Sequence, residues 1–292
     1  MPSSPRTVLV IGAHGFVGRA LCTTLVAQGT RVVGVVRRAV PADQRVRGVR
    51  YLVGDITQPA FARRAARGAE VIHYLAAAKR NAAYHLEHAF EIYEGNVRPL
   101  LAFLAAIRTL PPKTIVYASS ILAAYAADDA SPTVDGYAQG KYACELAVQA
   151  FASETAWRAK IIRLAAIYGP GQDTNPATAN MIASLMHKIR TSDAVLEVWG
   201  TGRRRMQFIH VADVVNNLIA ASRAAGTLFT VGHPEIVTVD AVARQLMATM
   251  GKRLRIRHDT SKPDKPSRIF RFNNPARPVF TLTRGFRTMR SA

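Results

Sequence analysis

The sequence predicts an α/β protein built on a doubly wound parallel sheet, with a small C-terminal lobe. Three observations predict it. Short runs that are apolar throughout alternate with amphipathic stretches from the first residues. A glycine-rich turn separates the first apolar run from the first helix-like stretch. Beyond residue 165 the alternation loosens into segments rich in Pro, Gly and Asn.

Each element follows in order. Thr7–Ile11 (TVLVI) is apolar enough to be a buried strand, 16–28 a helix, and Arg31–Val36 (RVVGVV) a second strand. Val49–Val53 is a short third strand, 61–67 a helix, and 71–75 (VIHYL) a fourth strand. A long helix is expected over about 89–108, a fifth strand over 114–118 (TIVYA), a helix over 137–155, and a sixth strand over 160–164. Strands without polar alternation, separated by helices, belong to a parallel sheet covered on both faces, with right-handed crossovers. Residues 1–165, with a returning segment at about 206–231, are expected to form the sheet domain. Residues 166–205 and 232–292 are expected to form the lobe.

The 292 residues are 49% apolar and 20% charged, which excludes a disordered or collagen-like chain. No run reaches the roughly 18 apolar residues of a membrane span, and the start MPSSPRTVLV has no signal-peptide core. Cys22 and Cys144 make neither a disulfide framework nor a metal pattern, so a cytoplasmic location and no metal are expected. The net charge is +20, and residues 251–292 hold twelve basic against two acidic side chains. A basic tail can bind an anionic surface or help hold a phosphorylated ligand. No zinc-finger or RNA-binding signature accompanies it, so specific nucleic-acid recognition is not expected.

Residues 8–18 read VLVIGAHGFVG. Gly12, Gly15 and Gly18 stand between a strand and a helix, where glycines allow a tight turn, close approach of a pyrophosphate, and helix–strand packing. The helix N-terminus then offers free N–H groups to the anion. This is a dinucleotide-binding Rossmann arrangement, with Gly12, His14, Gly15, Phe16, Val17 and Gly18 expected along the cofactor. Its spacing is GxxGxxG. The second strand ends in Val36, Arg37 and Arg38. No carboxylate is there to receive a ribose 2′-OH, and two guanidiniums can clamp a 2′-phosphate, so NADP(H) is favoured over NAD(H). Asp55 and Ile56, in GDI after the third strand, stand where a carboxylate would hold the adenine. An Asp at a strand end also serves as a turn residue.

Tyr137 and Lys141 form YxxxK at a helix start, on one helix face. A phenol is a poor acid or base at neutral pH. A lysine one turn away, beside a nicotinamide cation, would lower its pKa and hold the ribose. Ser120 ends the fifth strand in YASS and can hydrogen-bond a reacting oxygen. The three together suit hydride transfer to or from a carbonyl.

These motifs resemble the extended short-chain dehydrogenase/reductases of the NAD-dependent epimerase/dehydratase type. GAHGFVG, GDI, VIHYLAAA, Asn96-Val97, VYASS, YAQGK, IIRLAAIYGPGQ and FIHVADV occur in that family's order, over roughly residues 8–221. The resemblance implies a Rossmann domain with a substrate lobe, a homodimer through the two long helices, and Ala76 and Ala77 along the cofactor. It implies Ser120, Tyr137 and Lys141 as catalytic residues, with Asn96 behind the site or serving as a helix N-cap. Within the family, YGPGQ through FIHVADV is most similar to the 4-keto-6-deoxy-sugar reductases, GDP-fucose synthases among them. The resemblance then implies a nucleotide-linked sugar as substrate and NADPH-dependent reduction of its ketone.

The pattern departs in four places. Two proton-shuttling residues of the fucose synthases, a Cys and a His, are here Ile121 and Asn180, so 3,5-epimerisation is not expected. Two groups that grip substrate phosphates, an Asn and an Arg, are here Ala166 and Met206. Arg203, Arg204 and Arg205 stand just upstream and could supply charge by a shifted route. Ala166, Asn180 and these three arginines are the expected substrate-binding positions. The alternatives are a nucleotide-sugar epimerase with resident NAD(H), a reductase of a non-sugar ketone, and a non-catalytic dinucleotide sensor.

Overall fold

The computed structural model describes residues 6–111, 113–126, 135–173, 175, 178–262 and 267–289. Its strands are β1 (Thr7–Ile11), β2 (Arg31–Val36), β3 (Val49–Val53), β4 (Val71–Tyr74), β5 (Thr114–Ser120), β6 (Arg158–Leu164), β7 (Ala166–Tyr168), β8 (Val195–Trp199), β9 (Arg205–Met206), β10 (Phe208–His210), β11 (Leu228–Val231), β12 (Val237–Thr238) and β13 (Arg255–Asp259). Its helices are α1 (Phe16–Ala27), α2 (Pro59–Ala66), α3 (Ala82–Glu87), α4 (Ala89–Ile107), α5 (Ala123–Ala126), α6 (Gly136–Glu154), α7 (Met181–Thr191), α8 (Val211–Ala221), α9 (Val239–Thr249) and α10 (Leu282–Arg287). A 3-10 turn covers Ala42–Gln44.

Seven strands form one parallel sheet in the order β11-β6-β5-β4-β1-β2-β3. The order reverses between β1 and β4. The crevice above the carboxyl ends of those strands is where a doubly wound sheet takes its ligand. Both faces of the sheet are covered, as its unbroken apolar runs require. One face carries Leu9, Ile11, Ile72, Phe103, Ile115 and Tyr117; the other carries Val8, Val10, Leu21, Val116, Ile162 and Leu218. Strand β5 runs two residues past its expected end and β6 starts two residues earlier. Main-chain pairing from Thr114↔Arg158 to Ser120↔Leu164 carries both strands into polar sequence.

Two glycines bring α6 against α4. A Cβ on Gly136 would overlap the Ala89 carbonyl, and one on Gly140 would press on the Tyr93 backbone at 3.3 Å. The N-terminus of α6 is capped by Asp135, whose carboxylate accepts the N–H groups of Tyr137 and Ala138 at 3.1 Å each.

A third core lies away from the sheet. Tyr168, Ile182, Leu185, Ile189, Leu196 and Phe208 pack there with Val242, Leu246, Leu282 and Phe286. Three short two-stranded pairs frame this lobe: β7 with β10, β9 with β12, and β8 with β13. The C-terminal segment straps the lobe to the sheet. The side chain of Asn273 accepts the Thr230 N–H and donates to the Leu228 carbonyl, while Asn274 clasps Gly232, which covers the free edge of β11. The buried carboxylate of Asp213 on α8 accepts the N–H groups of Val279 and Phe280, and Asn217 accepts that of Ala276. Lys265 and Arg290 of the basic tail lie outside the described residues.

Candidate active site

The glycine loop is shaped for a dinucleotide. Gly12 has φ +88°, and a Cβ there would stand 2.9 Å from the Ala76 nitrogen. A Cβ on Gly18 would overlap the Gly12 carbonyl oxygen. The loop and the segment after β4 therefore pass closer than any side chain would allow. Gly15 caps α1 without a side chain, so the first-turn N–H groups at Phe16, Val17 and Gly18 face outward for an anion. Beside them, His14 Nδ1 is buried with no protein partner. The residues present fit a dinucleotide pyrophosphate.

At the end of β2, Arg37 and Arg38 are both exposed. Asp55, also exposed, accepts the Thr57 N–H at 2.9 Å. Hydrogen bonds from Thr57 hold its carboxyl below the usual carboxylate range, and the Arg37 cation adds to that. Asp55 thus closes a turn and stands near Arg37. Ile56 is buried in the core, so its side chain packs there and does not line the cleft. Ala76 is half-buried and Ala77 exposed at the tip of the segment after β4. Asn96 fixes that segment: its amide donates to the Ala78 carbonyl at 3.0 Å and accepts the Ala78 N–H at 3.2 Å. Asn96 lies well inside α4, so the N-cap expectation is corrected. The helix begins at Ala89, where the sequence expects it, with Ile92 already on its buried face.

Ser120, Tyr137 and Lys141 converge at the carboxyl ends of β5 and α6's first turns. Ser120 hydrogen-bonds the Tyr137 phenol and accepts the Leu122 N–H at 3.2 Å. Lys141 is buried and donates to the Ala118 carbonyl at 2.8 Å, with Nζ 5.8 Å from the centre of the Tyr137 ring. Burial pulls the Lys141 ammonium down to about 8, against the opposing effects of Cys144 and Glu145. The lowered tyrosine pKa is expected beside a nicotinamide cation; the protein's own groups act the other way. Burial, with Asp135 behind it, pushes Tyr137 up to about 12, and the Ser120 hydrogen bond offsets only part of that. The Lys141 ammonium, turned to the Ala118 carbonyl, does not counter that burial. A phenol held protonated is an acid in waiting.

Three residues near this set carry no motif. His85 stacks on the Tyr137 ring with centroids 5.5 Å apart. Glu145, one turn beyond Lys141, is buried and receives a bidentate Arg163 from β6, with Nη2–Oε2 at 2.6 Å. The same carboxylate accepts the Ser119 hydroxyl at 2.5 Å. Glu145 continues the face that Tyr137 and Lys141 share, a signal readable in the sequence; Arg163 and His85 offered none.

The substrate side is less committed. Asn180 caps α7, accepting the Ala183 N–H at 3.0 Å, and its amide donates to the Ile167 carbonyl at 2.8 Å. Both ends of that side chain are spent on structure. Ala166 and Met206 are half-buried against the lobe core. Of the arginine run, Arg203 and Arg205 are exposed and Arg204 is half-buried. Among the described residues no group of three His, Cys, Asp or Glu could hold a metal ion.

The family model of the NAD dependent epimerase/dehydratase family matches residues 8–232. The chain belongs to that family. It is an NAD(P)-dependent enzyme of the oxidoreductase and epimerase kind. A dTDP-4-dehydro-6-deoxy-D-allose reductase of Streptomyces bikiniensis is 29% identical over 286 residues, covering 90% of this chain and 87% of that one. A ceramide reductase of Caulobacter vibrioides is 33% identical over 225 residues, 76% of this chain and 63% of that one. The UDP-glucose 4-epimerase of Thermus thermophilus, solved with NAD, superposes with a TM-score of 0.82 at 20% identity over 98% of both chains, so the fold is that of this epimerase/dehydratase member.

Proposed function

We propose that this epimerase/dehydratase-family enzyme is an NADPH-dependent ketoreductase that acts on a nucleotide-linked 4-keto-6-deoxy sugar. The observation that carries it is the convergence of Ser120, Tyr137 and the buried Lys141 at the carboxyl end of β5, with Lys141 Nζ 5.8 Å from the centre of the Tyr137 ring. The relative that is a dTDP-4-dehydro-6-deoxy-D-allose reductase, similar over nearly its whole length, supports the substrate class. The exposed Arg37 and Arg38, in place of a carboxylate at the end of β2, support NADP(H), the usual reducing currency.

A bound nicotinamide supplies hydride to the carbonyl carbon. Ser120 orients the carbonyl oxygen, and Tyr137 gives that oxygen its phenolic proton, so a ketone becomes a secondary alcohol. The tyrosinate left behind is reprotonated from solvent, with the Lys141 cation 5.8 Å from its ring centre. Ile121 and Asn180 hold no exchangeable proton of suitable pKa, so the neighbouring carbons keep their configuration.

Phe90 and Leu101 on α4 and Leu146 on α6 are exposed apolar side chains on the two long helices. A second copy of the chain covers them in the homodimer we propose. Cys22 and Cys144 are free, buried thiols, in keeping with a cytoplasmic location.

A reductase of a non-sugar ketone is the second reading. The apolar Ala166 and Met206 favour it, as does the ceramide reductase relative. Nicotinamide absorbance separates the two. NADPH is mixed with nucleotide-linked 4-keto-6-deoxy sugars and, separately, with long-chain and short ketones. Stoichiometric NADPH loss with a sugar is the expected outcome. Loss only with the plain ketones establishes the second reading. Bound cofactor with no loss on any ketone overturns both and leaves epimerisation.

A further inference from the structure

The acid of the proposed reaction has a neighbour that the reaction itself does not use. His85, on α3, stacks on the Tyr137 ring with centroids 5.5 Å apart and planes inclined by 29°. Its Nε2 accepts the Arg80 N–H at 3.0 Å, so the neutral ring carries its proton on Nδ1. That hydrogen bond sets how the imidazole is turned, and the turn sets which face meets the phenol.

The α3 segment is braced for this contact. Asn81 caps it, its side chain accepting the Tyr84 N–H at 2.9 Å and its carbonyl the His85 N–H at 3.2 Å. The Tyr84 hydroxyl donates to Glu91 on α4 at 2.7 Å, and the Tyr84 ring lies on the His88 ring with centroids 3.9 Å apart. Just upstream, the Asn96 amide clamps Ala78. Tyr137 stands in the first turn of α6, and Ser120 holds it at the hydroxyl, the far end of its ring. A hydrogen bond at the tip leaves the side-chain torsions free to swing the ring; a flat group on the ring face removes that freedom. An imidazole suits the place. It is flat enough to stack, and a neutral ring does not hold back the phenolic proton as a carboxylate there would.

The geometry points to His85 as a positioning residue for the acid: its ring face holds the Tyr137 phenol in the orientation that meets Ser120. This rests on Tyr137 being the acid, which the sugar and plain-ketone readings share, and it goes beyond both in assigning the residue that aims the proton.

Two measurements on the full-length enzyme test it. The first is steady-state NADPH oxidation with nucleotide-linked 4-keto-6-deoxy sugars and with plain ketones. His85→Ala is expected to lower kcat about tenfold to a hundredfold, the scale of a misplaced reacting group, with KM and the NADPH dissociation constant within about twofold of wild type. His85→Phe keeps a ring and is expected to recover most of kcat. His85→Gln keeps an acceptor without a ring and is expected to fall with His85→Ala. In a Tyr137→Phe background, His85→Ala should cost nothing further, because it acts through Tyr137. The second measurement needs no substrate. In protein labelled with fluorotyrosine, the fluorine resonance of Tyr137, assigned by its loss in Tyr137→Phe, should shift in His85→Ala. Wild-type turnover by His85→Ala, a raised KM in place of the lowered kcat, rescue by Gln and not by Phe, or a further loss in the Tyr137→Phe background overturns the proposal, and so does an unmoved fluorine resonance. If wild type oxidises no NADPH with any ketone, the reductase reading falls, and the fluorine resonance alone then decides whether His85 places the ring.

Discussion

On the sheet side of the cleft, nearly every polar group has one task and one partner. Asn96 clamps the segment after β4, Ser120 holds Tyr137, Lys141 is turned to Ala118, and Glu145 is gripped by Ser119 and Arg163. On the lobe side, polar groups either brace the backbone, as Asn180 and Asp213 do, or are guanidiniums at the surface. Under the proposed function the chemistry belongs to the sheet half, and the choice of ligand to the lobe, whose side chains can change without disturbing the sheet. That division is consistent with Ser120, Tyr137 and Lys141 keeping the expected arrangement while Ala166 and Met206 depart from the expected Asn and Arg.

The largest effect that would break this contrast is expected at the acid. Tyr137→Phe removes the proton donor placed against Ser120 and should cut turnover by about a hundredfold to ten-thousandfold, the range of a lost general acid. The NADPH dissociation constant should not change. A non-catalytic sensor would show no such split, so steady-state kinetics beside cofactor titration decides it.

Next comes the ion pair behind the acid. Glu145→Ala removes the buried carboxylate that Arg163 and Ser119 both grip, and should cost about 3–5 kcal/mol in urea unfolding. The double variant Glu145→Met with Arg163→Met removes both charges and should recover most of that loss. If the single variant unfolds at the wild-type midpoint, the sheet side is less committed than its geometry says.

Much of the sheet side was legible because its functional residues are close in sequence. Three glycines lie within one loop, and Tyr137 and Lys141 share one helical face, so local periodicity places them. The strand ends were less so, because Ser119 and Ser120 join β5 through pairing with β6 and not through their own propensity. Asn96 falls mid-helix on the expected 89–108 span; the packing of α4 against α6 is what shows it buried. On the lobe side, Tyr125 and Arg268 meet because the strap crosses α8, anchored by Asp213. No spacing in the chain announces a contact made by tertiary folding over such a separation.

Lys141 sharpens the comparison through pH. Its folded pKa of about 8 lies below the unfolded lysine value of 10.5, so the native state disfavours the cation. Below pH 8 both states carry the proton, and the penalty is constant at about 3 kcal/mol. Between about pH 8 and 10.5 the unfolded state alone stays protonated, so protonation stops penalising the fold and wild-type stability rises with pH. Lys141→Met should therefore be more stable than wild type at pH 7, less a loss of about 1 kcal/mol for the unpaired Ala118 carbonyl. That advantage should shrink across pH 8–10.5 in parallel melts. An advantage independent of pH would mean the ammonium is not desolvated.

A smaller change is expected at the cofactor's edge. Arg37→Ala with Arg38→Ala should weaken NADPH about tenfold or more and leave NADH unchanged, because only NADPH carries the 2′-phosphate. Equal losses for both cofactors would place the arginines elsewhere than on that phosphate, and fluorescence titration with each cofactor reads the difference.

The smallest effect is expected where the sequence placed a substrate contact and the structure shows a brace. Asn180→Ala removes the cap of α7 and the hydrogen bond to Ile167, which together should cost about 1–2 kcal/mol of stability. The capped N–H of Ala183 and the Ile167 carbonyl are both main-chain groups of the lobe, so the loss belongs to folding and not to ligand contact. KM for the ketone substrate should stay within about twofold of wild type at a temperature well below the melt, because a cap acts on the folded fraction and not on the bound ligand. A KM raised about tenfold with the melting temperature unchanged would return Asn180 to the binding surface, and would show that the lobe spends its polar groups on the ligand as the sheet side spends its own on catalysis.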